Sequence, residues 1–200
     1  MIKYNGMKSE AASGNMGQLP AGPYVAKVLK VEIEGDAPDQ RLILKVDVAE
    51  GYYLDFFMNK FKSQYEKSSG KYPVTYKGVY RIRIPNEKNK NALYPESDIR
   101  KFNDMIFRFE KSNEGFHWEG DETSLVGLMI GINMQDDEMN GTQFTRIGRL
   151  EIADDVRNGL VKPMKARERK GDAWEPPQPE QVQIDPKTGF TAVETDELPF

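Results

Sequence analysis

Arg41-Leu42-Ile43-Leu44-Lys45-Val46-Asp47-Val48-Ala49 decides the fold class. Leu42, Leu44, Val46 and Val48 fall on one side of an extended chain, and Ile43, Lys45 and Asp47 on the other. Strict alternation of this kind marks a half-buried antiparallel strand. Upstream, Leu19-Pro20-Ala21-Gly22-Pro23 punctuates the entry to a first strand over about Tyr24–Ile33, and Gly35–Asp39 turns it into the strand at 41–49. Downstream, Gly51 turns the chain again, and Tyr52–Met58 reads as a third strand completing a meander.

Residues 59–78 are lysine-rich, aromatic and poorly periodic, the pattern of a long loop or flap. Val79–Ile84 reads as a short extended piece stopped by Pro85. Ser97 or Asp98 caps a predicted helix running to about Lys111, with Ile99, Phe102, Ile106 and Phe109 on its apolar face. A fourth strand is expected over about Leu125–Met134, a fifth over Gln143–Ile152, and a hairpin at Asp136–Gly141 between them. The order is β-β-β-helix-β-β. A mainly β, five-stranded oligonucleotide-binding (OB-fold) barrel with one helix between strands three and four has this order. An open antiparallel sheet with one helix packed across it is the alternative, because periodicity does not show whether a sheet closes. Three regions follow: a flexible lead-in over 1–19, the barrel over 20–165, and a disordered linker with an acidic tip over 166–200.

The net charge of −4 conceals an uneven distribution. Residues 171–200 hold seven acids and one base, while residues 1–170 hold 25 acids and 27 bases. Five prolines and few aliphatic residues in that last segment leave too little apolar surface to offset ordering entropy. A slightly basic body with an acidic tail points toward nucleic acid. The chain has no cysteine, which excludes disulfides and thiolate metal sites and fits the cytoplasm of a bacterial cell. No apolar run is long enough to span a bilayer, and the N-terminal residues lack the apolar stretch of a signal peptide.

Single-strand binders need ring faces for bases and cations for phosphates. Both types interleave here, and the candidates are Tyr53, Phe57, Lys60, Lys62, Tyr72, Tyr76, Tyr80, Arg81 and Arg83, joined by Phe144, Arg146 and Arg149 on the fifth strand. Arg81 and Arg83 share a face if their segment is extended, as do Phe144 and Arg146. Gly127 and Gly131 fall on one face of the fourth strand, where missing side chains would admit a base or serve a tightly coiled strand. His117 is the sole histidine and reads as structural. Asp136, Asp137 and Glu138 lack calcium-loop spacing and read as a solvated hairpin tip. There is no phosphate-binding glycine loop. The expectation is a protein that is not an enzyme and carries no cofactor or metal.

The stretch Asp196-Glu197-Leu198-Pro199-Phe200 resembles the C-terminal tip of bacterial single-stranded DNA-binding proteins, with leucine in place of the usual isoleucine. The resemblance implies docking onto replication, recombination and repair enzymes, with the phenylalanine in an apolar pocket and the acids against a basic rim. A second resemblance lies in the body. Pro20–Val25, Phe102–Ile106, Glu110–Trp118, the Gly127/Gly131 strand and Arg157-Asn158-Gly159 resemble a phage and mobile-element protein family of Gram-positive bacteria, over roughly residues 20–165. That family is associated, by position among replication genes, with single-stranded DNA binding. Together they imply a non-sequence-specific single-stranded DNA-binding protein that recruits partner enzymes through its tail, with self-association and strand annealing left open. The competing expectation is an interaction protein that does not bind DNA and uses the tail to redirect host repair enzymes.

Overall fold

The structure is a computed structural model. It describes residues 17–37, 39–86, 95–139 and 141–167. Five strands form one antiparallel sheet in the order β3-β2-β1-β4-β5: β1 (Gly22–Glu34), β2 (Arg41–Val48), β3 (Val79–Arg83), β4 (Met129–Met139) and β5 (Thr142–Glu151). The fold is mainly β as expected, but the sheet is not closed into a barrel: β3 and β5 are its two edges. Among the described residues, three α-helices accompany it: α1 (Phe56–Ser68), α2 (Pro95–Ser112) and the short α3 (Ala153–Arg157). Among the described residues, no helix is long and apolar enough to cross a membrane.

The alternating side of β2 is core. Leu42, Leu44, Val46 and Val48 are all buried and pack with Val28, Ile82, Ile130, Ile132, Met105 and Phe109. The opposite side is not open, as a half-buried strand would require. Ile43 lies between Glu32 and Arg81 in register and is 4% exposed, and Asp47 is 2% exposed.

The expected third strand is the main correction. Gly51 does turn the chain, with φ 85°, but Leu54 and Asp55 continue the turn, and a helix starts at Phe56. The cause is distant in sequence. The Asp47 carboxylate on β2 accepts backbone N–H bonds from Phe57 and Met58, each at 2.8 Å, and so supplies the acceptor that a helix N-terminus lacks. Asp55, which precedes the helix, is left-handed (φ 56°) and makes no side-chain cap. The predicted loop at 59–78 is therefore helical to Ser68, and only after it a turn and irregular chain. The third strand of the sheet is the short piece at 79–83.

The predicted helix at 97–111 is present as α2, with its buried face shifted. Met105 and Phe109 are buried, and Ile99 is 43% exposed. The fourth strand begins later than expected, after a 3-10 turn at Glu122–Leu125, and runs on to Met139. The hairpin thus lies beyond Asp136–Glu138, at Gly141 (φ 74°). Asp137 is not a solvated tip: it is 2% exposed, with Arg146 and Arg167 at 3.5 and 3.7 Å. Leu19, assigned to the lead-in, is 1% exposed and belongs to the core. Residues 1–16 of the lead-in and the tail beyond 167 lie outside the described residues.

Candidate nucleic-acid interface

A cavity of about 650 Å³ opens between the two edge strands. Val79 and Arg81 of β3 line one side, Phe144, Thr145, Arg146 and Ile147 of β5 the other, and Phe56, Phe57 and Lys60 of α1 lie between them. The segment 17–19 is tied to β5 and to α1. Gln18 Nε2 donates to Gln143 O at 2.6 Å, Thr145 Oγ1 donates to Leu19 O at 2.8 Å, and Lys60 Nζ donates to Gly17 O at 2.9 Å.

The charge of this cavity is of one sign. Lys60, Lys77, Arg81 and Arg146 line it, and its described lining contains no Asp or Glu. Burial, and then the nearby Lys77, push the Lys60 ammonium below its ordinary pKa, as expected where cations crowd without a counterion. Arg81 lies 3.7 Å from Glu34, and Arg146 lies 3.5 Å from the buried Asp137; both acids are outside the lining.

Rings contribute unequally. Phe57 is 4% exposed and belongs to the core. Tyr76 packs edge-on to Phe61, and its hydroxyl donates to Val46 O at 2.9 Å. Burial, followed by the nearby Asp47, raises its phenol pKa. Phe144 is partly exposed in the lining. Gly78 shapes the wall: a Cβ there would lie 2.2 Å from Val46 O and 2.7 Å from the Phe57 ring.

Of the twelve candidate DNA-binding residues, six line this cavity: Phe57, Lys60, Tyr76, Arg81, Phe144 and Arg146. The other six do not. Tyr53 packs among Tyr24, Tyr52 and Phe56. Lys62 and Tyr72 are exposed away from the lining. Tyr80 packs against the core, and burial raises its pKa. Arg83 lies 3.6 Å from Asp98 of α2, and Arg149 lies 3.5 Å from Glu151. The expected shared face of Arg81 and Arg83 exists in β3, with Ile82 buried between them, but only Arg81 reaches the cavity. Lys77, Gln18, Met139 and Thr142 were not among the candidates, yet they line it. Lys77 was visible as part of the interleaved segment. The other three depend on the register of the β4–β5 hairpin and on the path of 17–19.

The two glycines expected on one face of the fourth strand do not share it. Gly127 precedes β4 in a left-handed turn (φ 88°). Gly131 is packed tightly, since a Cβ there would meet Val156 at 2.8 Å and Glu151 at 2.9 Å. His117 is exposed, with Nδ1 3.9 Å from Glu110. Among the described residues, no group of three or more His, Asp or Glu is placed to hold a metal ion. The tip Asp196, Glu197, Leu198, Pro199 and Phe200 lies outside the described residues. No protein-family model matches this chain. No curated protein matches it either.

Proposed function

We propose that the protein binds single-stranded DNA without sequence preference, in the cavity between β3 and β5, and acts in phage or mobile-element DNA replication, recombination or repair. The observation that carries this reading is a cavity lined by four cations, with no acid in its described lining, and by the partly exposed ring of Phe144. Cations converging on a cavity suit a phosphate backbone, even with Arg81 and Arg146 each within 4 Å of an acid outside the lining, and a ring in the same cavity suits a stacked base. The strand order supports an OB-type reading. Joining β3 to β5 would close a five-stranded barrel with α2 between its third and fourth strands. In the open sheet, bound DNA would occupy the gap between these two edges. Recruitment of replication, recombination or repair enzymes through Asp196–Phe200 rests on the resemblance of that stretch.

The test is a titration of the full chain with fluorescent oligo-dT and with duplex DNA, at two salt concentrations. Single strands are expected to bind more tightly than duplex, and more weakly as salt rises. Replacing Lys60, Lys77, Arg81 and Arg146 together by alanine should flatten the salt dependence, by roughly 0.7 in log–log slope for each phosphate that is no longer neutralised. Phe144→Ala should weaken binding by about 1–3 kcal/mol with the slope unchanged. Equal or tighter binding to duplex, or no binding to oligo-dT at low salt, overturns the reading.

A further inference from the structure

Two directions lead away from the first cavity, and their charges differ. Toward the far end of β5, a register shift at Gly148 puts Arg149 on the same face as Arg146, beside a second cavity of about 480 Å³. The arginines on that side are matched by acids. Arg146 and Arg167 lie 3.5 and 3.7 Å from Asp137, and Arg149 lies 3.5 Å from Glu151. In the other direction lies α1 with the chain that follows it. Residues 56–78 hold five lysines and one acid, Glu66. None of Lys60, Lys62, Lys67, Lys71 and Lys77 has an ion pair among the described residues. Cations in that state are available to phosphates.

The same stretch carries a series of rings that starts in the first cavity and ends outside it. Phe57, Phe61 and Tyr65 are four residues apart and fall on one stripe of α1. Phe57 and Tyr76 line the cavity, with their centroids 6.3 Å apart. Tyr76 meets Phe61 at 6.0 Å, and Phe61 meets Tyr65 at 6.4 Å with the ring planes 23° from parallel. Exposure rises along the stripe, from 4% at Phe57 to 57% at Tyr65. Packing against the sheet accounts for Phe57 but not for Tyr65, which stands about 12 Å farther along the helix at 1.5 Å per residue. Among the described residues, no ring besides Phe61 and no cation lies over Tyr65. Lys62, one turn earlier, is its neighbour on the helix surface and is exposed.

We propose that the DNA strand leaves the first cavity along α1 and stacks a base on Tyr65, with the adjoining phosphate on Lys62. This rests on the single-strand reading of the first cavity. Stacking needs only a π-face, which every base has, so this outer position lengthens the site without adding sequence preference. A tyrosine already held against Phe61 also loses less freedom on binding than an isolated exposed ring. Lysines beside an exposed ring would suit an acidic peptide as well, but the ring series runs on from the cavity, which favours one continuous strand.

The test uses the full chain and oligo-dT carrying a single abasic unit, moved one position at a time. The parent should show losses of about tenfold at two separate positions, one for the ring in the cavity and one for Tyr65. Tyr65→Ala should weaken the unmodified oligo about tenfold and erase the second loss alone, whereas Phe144→Ala should erase the first alone. Alanine is the better helix former, so α1 should hold, and a melting curve checks this. Tyr65→Phe keeps the ring and should behave as the parent. Lys62→Ala should lower the log–log salt slope by roughly 0.7 and leave both losses in place. Tyr52→Ala, at an exposed ring outside the lysine-rich stretch, should change nothing. A parent with no second loss, a second loss that survives Tyr65→Ala, or a Tyr65→Phe protein as weak as Tyr65→Ala overturns the proposal and leaves the first cavity's reading intact. Failure of the parent to bind oligo-dT at low salt overturns both. An unchanged oligo-dT profile in Tyr65→Ala, with loss of binding to a peptide of sequence Asp196–Phe200, would assign α1 to an acidic partner and overturn its place on the strand.

Discussion

The two long helices are attached to the same sheet in opposite ways. Helix α2 carries its own instructions. Glu96 and Asp98 stand in its first turn and Lys111 in its last, which complements the helix dipole, and Phe102, Met105 and Phe109 make an apolar stripe. Its C-terminal end is fastened several times. Arg108 meets Glu151 at 2.6 Å, and the Ser112 hydroxyl accepts from Ala153 N at 2.9 Å. The Asn113 amide clamps Met129 through both its N–H and its C=O. Helix α1 has no acid in its first turn and no cap from its own segment. Its start depends on one carboxylate from β2, Asp47, which accepts from Val48, Phe57 and Met58. Both helices also bury apolar side chains, Phe56 and Phe57 for α1, but the polar fastening of α2 is redundant and the polar start of α1 is concentrated in Asp47, so the two should respond differently to single polar substitutions.

The largest effect is expected at Asp47. Asp47→Ala orphans three backbone donors in a buried setting, at roughly 1–3 kcal/mol each, so a loss of about 4 kcal/mol in urea unfolding is expected. The loss should appear first in α1 and the first cavity. The charge state adds a pH dependence. Burial pushes the Asp47 carboxyl above its ordinary value, and the three N–H bonds only partly oppose this. A raised folded-state pKa means that the folded protein holds the proton more tightly. That contribution is complete below the unfolded value, about 4, and is lost as pH rises through the folded value. The stability gap between the parent and Asp47→Ala should therefore narrow as pH rises across this window. A gap that widens would show that the ionised carboxylate is the favoured form.

This contrast explains what was legible in the sequence. β2 and α2 were readable because each is encoded by its own periodicity, and β1 because Pro20, Gly22 and Pro23 punctuate its start. Residues 52–68 were not, because the residue that starts α1 is on another strand. Tyr53, Phe57, Phe61 and Tyr65 do recur every four residues, a helical signal that the adjacent pairs Tyr52-Tyr53 and Phe56-Phe57 obscured. At the cavity, Phe144 and Arg146 were readable as neighbours on one strand face. Arg149 joins that face only through the shift at Gly148, which no local pattern announces. Asp137 misled because an acid-rich triplet looks like a turn, whereas Asn140-Gly141 was the better hairpin signal.

A second way to break α1's attachment is through its neighbour. Gly78 O accepts from Val46 N at 2.8 Å, and the Phe57 ring lies where a Gly78 side chain would be. Gly78→Ala would bring Cβ to 2.2 Å from Val46 O, a backbone atom that cannot rotate away. Overpacking typically costs about 1–3 kcal/mol, and the upper end, about 3 kcal/mol, is expected here. Because Phe57 and Val79 line the first cavity, oligo-dT affinity should fall with stability. A Gly78→Ala protein as stable as the parent would mean that β3 moves freely against β2.

The smallest effect is expected where attachment is shared. Arg108 is 9% exposed. Burial works against its charge, but hydrogen bonds to Asp104 and Glu151 outweigh this and raise its pKa. Removing one partner of a buried pair typically costs about 3–5 kcal/mol, because the remaining charge is stranded. Glu151 would not be stranded here, since Arg149 Nε already lies 3.5 Å from its other oxygen. The methylene stem of methionine would also keep much of the packing that Arg108 contributes. Arg108→Met is therefore expected to cost about 2 kcal/mol, below the usual range for a broken buried pair. The double variant Arg108→Met/Arg149→Met should cost more than the sum of the two single changes, because only then does Glu151 lose both cations. Strict additivity in urea unfolding would mean that Arg149 does not compensate, and that α2 is held no more redundantly than α1.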